Sequence, residues 1–116
     1  MEKEIVYLVW TNSQSNNKYK VAELYKENGK YYFKYILDNV KEAEKDGFTL
    51  LIAFPLVNAV YENPHLFAVF SSRLPDKSRP EIDEILKTYG LTEYDEFELL
   101  KKSGAKLPTD NYEFVV

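Results

Sequence analysis

The sequence predicts an α+β fold in which an antiparallel sheet carries three to four short helices. Two patterns support this prediction. Segments rich in aromatic and β-branched residues, which favour strands, fill the first third of the chain, and capped segments with apolar residues at helical spacing follow them. The chain has 116 residues, 45% of them hydrophobic and 16% aromatic, enough to bury one core. We therefore expect a single domain over residues 1–116.

Three strands are predicted in the N-terminal part, and together they form an antiparallel meander. Glu4–Trp10 (EIVYLVW) is the first strand, and the polar segment Thr11–Asn17 (TNSQSNN) is a loop after it. Tyr19–Tyr25 and Lys30–Leu37 are the next two strands. They flank Asn28-Gly29, a dipeptide that tolerates positive φ and is typical of tight hairpin turns.

The third strand of the meander has two different faces. Tyr31, Phe33 and Tyr35 lie on one face, and Tyr32 and Ile36 lie on the other. The pattern alone does not decide which face the helices cover. If they cover the first face, the Tyr32 and Ile36 face is exposed and becomes a second candidate docking surface.

Two more strands are predicted later in the chain. Phe48–Phe54 (FTLLIAF) is rich in strand formers, and Pro55 ends it because proline cannot donate the next ladder hydrogen bond. Asn111–Val116 (NYEFVV) is expected to return to the sheet. Leu56–Glu62 has no decisive pattern and stays undecided between strand and loop.

Two short helices are predicted on either side of this undecided segment. Asp38 is expected to cap a helix over Asn39–Lys45, with Gly47 at its end. A second helix is expected over His65–Ser72. For that helix, Asn63 is the expected N-cap and Pro64 occupies the first position.

Two further helices are predicted in the C-terminal half. Ser78 and Glu81 have the spacing of a capping box and precede an apolar stripe that ends at Gly90. That stripe consists of Ile82, Ile85, Leu86 and Tyr89. The last helix is expected from Thr92 to Lys102, and Gly104 ends it. Its inward residues are expected to be Phe97, Leu99 and Leu100.

Composition excludes several kinds of site. The chain has no cysteine, one histidine (His65) and four scattered glycines, so no thiol nucleophile, histidine triad, multi-histidine metal site or phosphate-binding loop is predicted. The net charge of −4 disfavours broad binding to nucleic acid, and no apolar run reaches the span of about 18 residues that crosses a membrane. We expect a cytoplasmic, non-enzymatic protein without metal or cofactor, and no direct contact with nucleic acid or membrane.

A basic turn stands out in the segment Phe67–Glu81 (FAVFSSRLPDKSRPE). Arg73, Lys77 and Arg79 lie there beside the Leu74-Pro75 helix stop. Three uses stay open for these cations: contact with a protein partner, an ordinary solvated surface, or binding of an anion near a helix start. Partner contact is favoured because arginine is a common interface anchor, whereas Asp76 and Glu81 dilute the positive charge of an anion site.

Several segments together resemble the N-terminal subdomain of the HipA family of bacterial toxin–antitoxin serine/threonine kinases. The resemblance is carried by Trp10, Asn12, Val21-Ala22-Glu23-Leu24, Tyr32-Phe33-Lys34-Tyr35, Phe54-Pro55-Leu56, Leu66–Asp76, Asp95–Leu100 (DEFELL) and Gly104. It covers nearly the whole chain through loose motifs. Phe67–Pro80 and Leu107–Val116 are also similar to the leading module of small HIRAN-domain proteins.

The HipA resemblance implies a module without catalytic residues that supports regulation and assembly of a kinase. No kinase signature follows in this chain, which fits a split system in which the module binds and neutralises a separate kinase subunit. A helix-turn-helix DNA-binding protein would join through the complex. On this interpretation, the predicted partner-binding residues are Phe67, Phe70, Arg73, Leu74, Asp76, Lys77 and Arg79. The absence of a kinase signature equally fits an excised or free-standing HIRAN-linked module.

Two other functions stay open from the sequence. The HIRAN similarity implies an accessory module of a DNA-processing protein, which salt-dependent DNA binding would reveal. An inhibitor of a host or phage factor is the other alternative, and no residue pattern supports or opposes it.

Overall fold

A computed structural model describes residues 4–107 and 110–116. In chain order, its elements are β1 (Glu4–Thr11), β2 (Lys18–Glu27), β3 (Lys30–Tyr35), α1 (Leu37–Lys45), β4 (Val60–Asn63), α2 (Ala68–Ser71), α3 (Ile82–Thr88), α4 (Glu96–Ser103) and β5 (Tyr112–Val115). The strands form one five-stranded antiparallel sheet in the order β4-β3-β2-β1-β5, with the helices packed on it. The predicted α+β class is confirmed.

The predicted meander is present, and its second hairpin is closed by the expected turn. Asn28 and Gly29 have φ values of 53° and 78°, as a two-residue turn with positive φ at both positions requires. Glu27 pairs with Lys30 to close the hairpin. The predicted C-terminal strand is also confirmed, since β5 pairs with β1 at the far side of the sheet.

A β-bulge in β2 increases the number of side chains that the sheet buries. The β1–β2 register passes from Leu8↔Ala22 to Val9↔Lys20, so Val21 has no opposite residue on β1. Both Val21 and Ala22 are fully buried, although neighbouring strand residues usually face opposite sides.

The helices cover the Tyr31, Phe33 and Tyr35 face of the sheet, which settles the question that the sequence left open. Phe33 and Tyr35 are buried, and Tyr31 packs edge-on against Phe97 of α4 with ring centroids 5.8 Å apart. On the opposite face, Tyr32 is only half-buried. That face carries no helix among the described elements.

The predicted strand over Phe48–Phe54 is wrong, because this segment is an irregular loop. Phe48 and Phe54 are both buried, and Phe54 stacks on Phe33 at a centroid distance of 4.0 Å. The Tyr35 hydroxyl donates to the Phe54 carbonyl at 2.8 Å and accepts from the Leu51 amide at 3.0 Å. Aromatic packing and hydrogen bonds to the Tyr35 hydroxyl therefore hold this segment in place, instead of strand pairing. The fourth strand lies instead in the segment that the sequence left undecided.

Two predicted helix starts, those capped by Asp38 and Asn63, are wrong. α1 starts at Leu37 after Ile36, so Asp38 lies inside the first turn. Asn63 belongs to β4, where it pairs with Tyr31, and its side-chain amide donates to the His65 carbonyl at 2.6 Å. That pairing holds Asn63 in an extended strand, and α2 begins only at Ala68 and spans four residues.

The Ser78–Glu81 capping box does not form, and Thr92 does not open the last helix. Ser78 donates to Asp76 through both its amide and its hydroxyl, each at 2.8 Å, while the Glu81 carboxylate accepts from Arg79. α3 therefore starts at Ile82 without a side-chain cap. The N-cap of α4 is Asp95, which accepts from the Glu98 amide at 3.1 Å.

The predicted inward residues and helix ends in this half of the chain are mostly confirmed. Phe97, Leu99 and Leu100 are buried in α4, and Gly104 follows that helix in the left-handed conformation with φ of 76°. Leu86 is the buried residue of the α3 stripe, with Ile82, Ile85 and Tyr89 half-buried beside it.

We predict that Tyr35→Phe lowers the free energy of unfolding by about 1–3 kcal/mol, because the Phe54 carbonyl and the Leu51 amide lose their shared partner. Urea unfolding measures this change. Tyr32→Phe on the same strand is the matched control, since the Tyr32 ring lies on the open face. Equal stability of the two variants would contradict the anchoring role of the Tyr35 hydroxyl.

Candidate partner-binding site

The predicted partner-binding residues lie on two levels, one inside the fold and one at its surface. Phe70 belongs to the core, where its ring lies 5.7 Å from that of Phe54. Phe67 is half-buried and meets Phe54 edge-on at 5.2 Å, and Leu74 packs against the core while partly exposed. Phe70 is therefore a structural residue in this conformation, and Phe67 and Leu74 present only part of their surface.

The Arg73 guanidinium is bound by groups within the chain. It forms a bidentate pair with Asp110, at 2.5 and 3.0 Å. The same group donates to the carbonyls of Ala105 and Tyr112, at 2.8 and 3.0 Å. Only 10% of the Arg73 side chain is exposed. In this conformation Arg73 joins the segment after α2 to the C-terminal strand and presents little surface to a partner.

These contacts also complete the outer backbone edge of β5. The Tyr112 carbonyl accepts from Arg73, and the Tyr112 amide donates to Asp110 at 3.2 Å. Two residues on, the Phe114 amide donates to the Gly104 carbonyl at 2.7 Å. A Cβ at Gly104 would lie 3.2 Å from the Phe114 carbonyl oxygen, so this close approach favours glycine there, as its positive φ does.

The turn over Asp76–Glu81 forms the exposed part of the candidate site. The Asp76 carboxylate accepts both hydrogen bonds from Ser78, and these two bonds hold the pKa of Asp76 below its usual value. Tyr94 donates through its hydroxyl to the Pro75 carbonyl at 2.8 Å. Fixed at both points, the turn presents Asp76, Lys77 and Arg79 to solvent.

The charges of the turn are largely balanced, which bears on the anion-site alternative. Arg79 pairs with Glu81, and that contact lowers the pKa of the Glu81 carboxyl. Arg73 is neutralised by Asp110. Within the described ranges, Lys77 is the one cation of the three without an ion pair. The local field is therefore mixed rather than positive, which suits contact with a protein surface better than capture of a free anion.

A cleft of about 630 Å³ lies beside this turn and is mostly polar in character. Its lining includes Leu74, Asp76 and Lys77 together with Tyr94 and Glu96. His65 is exposed elsewhere and has no part in this cleft. In the described part of the chain, no group of three histidine, cysteine or acidic side chains is placed to hold a metal ion.

Asp110 is the partner of Arg73 that the sequence patterns did not predict. It lies 37 residues from Arg73, and no local motif signals a pairing over that separation. No helix within residues 4–107 and 110–116 is both long and apolar enough to cross a bilayer.

Comparison with known proteins identifies the family. A model described as the HipA N-terminal domain matches residues 9–108, which is most of the chain, and confirms the resemblance seen in the sequence. No curated protein and no solved structure matches the chain.

We predict that Arg73→Ala lowers the free energy of unfolding by about 3 kcal/mol, because it leaves Asp110 without its cation and two carbonyls without their donor. Arg79→Ala is the matched control and should change stability by less than about 0.5 kcal/mol, since its ion pair is exposed. Denaturant unfolding of both variants tests this. A similar, small effect at both positions would contradict the structural role of Arg73.

A second prediction concerns pH, because the pair with Arg73 lowers the pKa of Asp110 below 3.8 in the folded protein. A lowered folded pKa stabilises the protein above the unfolded value and loses that contribution as pH falls through the folded value. The stability gap between the wild type and Asp110→Asn should therefore be full at neutral pH and shrink below pH 3.8. Urea unfolding at a series of pH values measures it, and a gap that is constant with pH would refute the charge contribution.

Proposed function

Because the chain belongs to the HipA N-terminal domain family, we propose that it is a non-enzymatic module that binds and regulates a separate HipA-type serine/threonine kinase subunit. The family match over residues 9–108 is the observation that carries this proposal. Within a bacterial toxin–antitoxin system, the regulation proposed is neutralisation of the kinase. A helix-turn-helix DNA-binding protein would be reached through the kinase complex rather than by direct contact with DNA.

The geometry of the Asp76–Glu81 turn supports a docking role for it. The turn is exposed, yet Ser78 and Tyr94 fix its backbone before any partner arrives. A surface that is already ordered loses less conformational entropy on binding, which favours affinity. Lys77 and Arg79 would then provide polar contacts at the rim, and Lys77 lines the same cleft as the partly exposed Leu74.

The rim position also predicts how these residues act. Charges at the edge of an interface mainly steer encounter and set specificity, and their effect falls as salt rises. Lys77 and Arg79 should therefore influence the association rate more than the dissociation rate. Phe67 and Leu74, which are half-buried, would contribute through the small apolar area they present.

The direct test is to mix the purified chain with the purified kinase subunit and measure binding and kinase activity together. We expect a stoichiometric complex and loss of substrate phosphorylation as the chain is added. A kinase that neither binds the chain nor changes its activity would overturn the proposed function. Salt-dependent binding of the free chain to single-stranded DNA would favour the accessory role in DNA processing instead.

We predict that Lys77→Glu/Arg79→Glu weakens kinase binding by about tenfold at low salt, because two rim charges change sign. The matched control is Lys87→Glu/Lys102→Glu, which makes the same change in net charge at exposed positions of α3 and α4 outside the cleft lining. Stopped-flow association kinetics at two salt concentrations separate steering from contact. An equal effect of both double variants would show that net charge, not the turn, is responsible.

A further inference from the structure

We infer that an extended segment of the kinase adds a strand to the outer edge of β4 and places an apolar side chain in the adjoining groove. This inference rests on the proposed function, since it names where on this chain that kinase docks. It adds to the interface an apolar surface outside the Phe67–Arg79 region.

The register of the sheet shows which backbone groups of β4 point outward. The Glu27↔Lys30 pair closes the hairpin, and the Ile36 amide donates to the Val21 carbonyl. In an antiparallel pair, alternate residues form the hydrogen bonds, so the even-numbered residues of β3 are hydrogen-bonded to β2. The odd-numbered residues of β3 therefore bond to Tyr61 and Asn63 of β4. The amide and carbonyl groups of Val60 and Glu62 point away from the sheet as a consequence.

The two edges of the sheet differ in how these outward groups are satisfied. At β5, Arg73, Asp110 and Gly104 supply partners to the backbone of Tyr112 and Phe114. At β4, within the described residues, the outward backbone groups of Val60 and Glu62 have no such partners. An unpaired edge is a template for strand addition, whereas an edge that is already bonded is not.

An apolar groove adjoins this open edge and could accept an apolar side chain of the added strand. The groove has a volume of about 340 Å³ and is lined mainly by Ile36, Leu37, Val57, Ala59 and Val60. Leu37 and Val60 are 45% and 56% exposed, unusually high for large apolar side chains. Glu23 and Lys34, which pair in the sheet, supply its polar lining.

These features specify the chemistry of the occupant. It is an extended peptide segment, free of proline where it pairs, with an aliphatic or aromatic residue that enters the groove. A second copy of this chain fits less well. The antiparallel register that uses both outward residues would set Val60 opposite Glu62 of the copy, which brings a carboxylate to an apolar groove.

The side-chain part of the inference is tested by placing a charge in the groove. Val60→Asp and Leu37→Asp should each weaken kinase binding by at least about tenfold, because a carboxylate replaces an apolar lining group. Leu37 starts α1, where an acidic residue suits the helix, so that variant should keep its fold. Ile52→Asp is the matched control, since Ile52 is 98% exposed and lies outside the groove lining. It should bind within about twofold of the wild type.

The backbone part is tested at Glu62. Glu62→Pro removes the outward amide and should weaken binding by at least about tenfold, whereas Glu62→Ala keeps that amide and should bind within about threefold of the wild type. Both variants lose the ion pair with Lys30, so their difference reports the amide. Urea unfolding of all five variants confirms that they are folded.

The outcomes separate this inference from the proposed function. If the kinase binds the wild type and all folded variants equally, the edge and groove assignment is overturned while the proposed function stands. If the wild type itself fails to bind the kinase, both the proposed function and the named occupant are overturned. If the chain forms a dimer that Glu62→Pro disrupts, the occupant is a second copy and the inference is wrong.

Discussion

The bidentate pair between Arg73 and Asp110 is the interaction on which the arrangement of the C-terminal half depends. It joins the segment after α2 to the segment before β5, 37 residues further along the chain. The same guanidinium binds the Tyr112 carbonyl, and Asp110 binds the Tyr112 amide. One ion pair therefore fixes where the last strand enters the sheet and satisfies the backbone that this strand would otherwise expose to solvent. Because the Arg73 side chain is largely buried, its charge is stabilised by these partners rather than by water.

This arrangement gives the sheet two unlike edges. Side chains and a helix-terminal carbonyl complete the edge at β5, whereas the edge at β4 is short, carries Glu62, and adjoins an apolar groove. Natural sheets commonly protect exposed edges with charge and short length. Both devices are present at β4, which limits self-association but leaves two outward residues for a suitable partner strand. The proposed kinase interaction thus has two components: steering charges on the Asp76–Glu81 turn and apolar, backbone-mediated contact at β4.

Local patterns predicted the parts of this structure that local forces determine. The Asn28-Gly29 turn, the alternating faces of β3 and the glycine after α4 follow from backbone conformation and strand periodicity, and all three are present. The loop over Phe48–Phe54 was predicted as a strand because its composition favours one. Its conformation depends instead on contacts with Phe33 and Tyr35, which are distant in sequence. Two helix starts were missed for a related reason. The Ser78 hydroxyl, expected to cap α3, donates to Asp76 instead, and the Asn63 side chain, expected to cap α2, donates to the His65 carbonyl. The pairing of Arg73 with Asp110 was beyond local reasoning, and it leaves only 10% of the Arg73 side chain exposed for a partner.

Amide hydrogen exchange, resolved by residue, tests the central claim that the two sheet edges differ. In the free chain, we expect slow exchange at Tyr112 and Phe114 and fast exchange at Val60 and Glu62, whose amides point to solvent. On addition of the kinase, protection should appear at Val60 and Glu62 while the β5 amides stay as they were. Slow exchange at Val60 and Glu62 in the free chain, or no change there in the complex, would contradict the account.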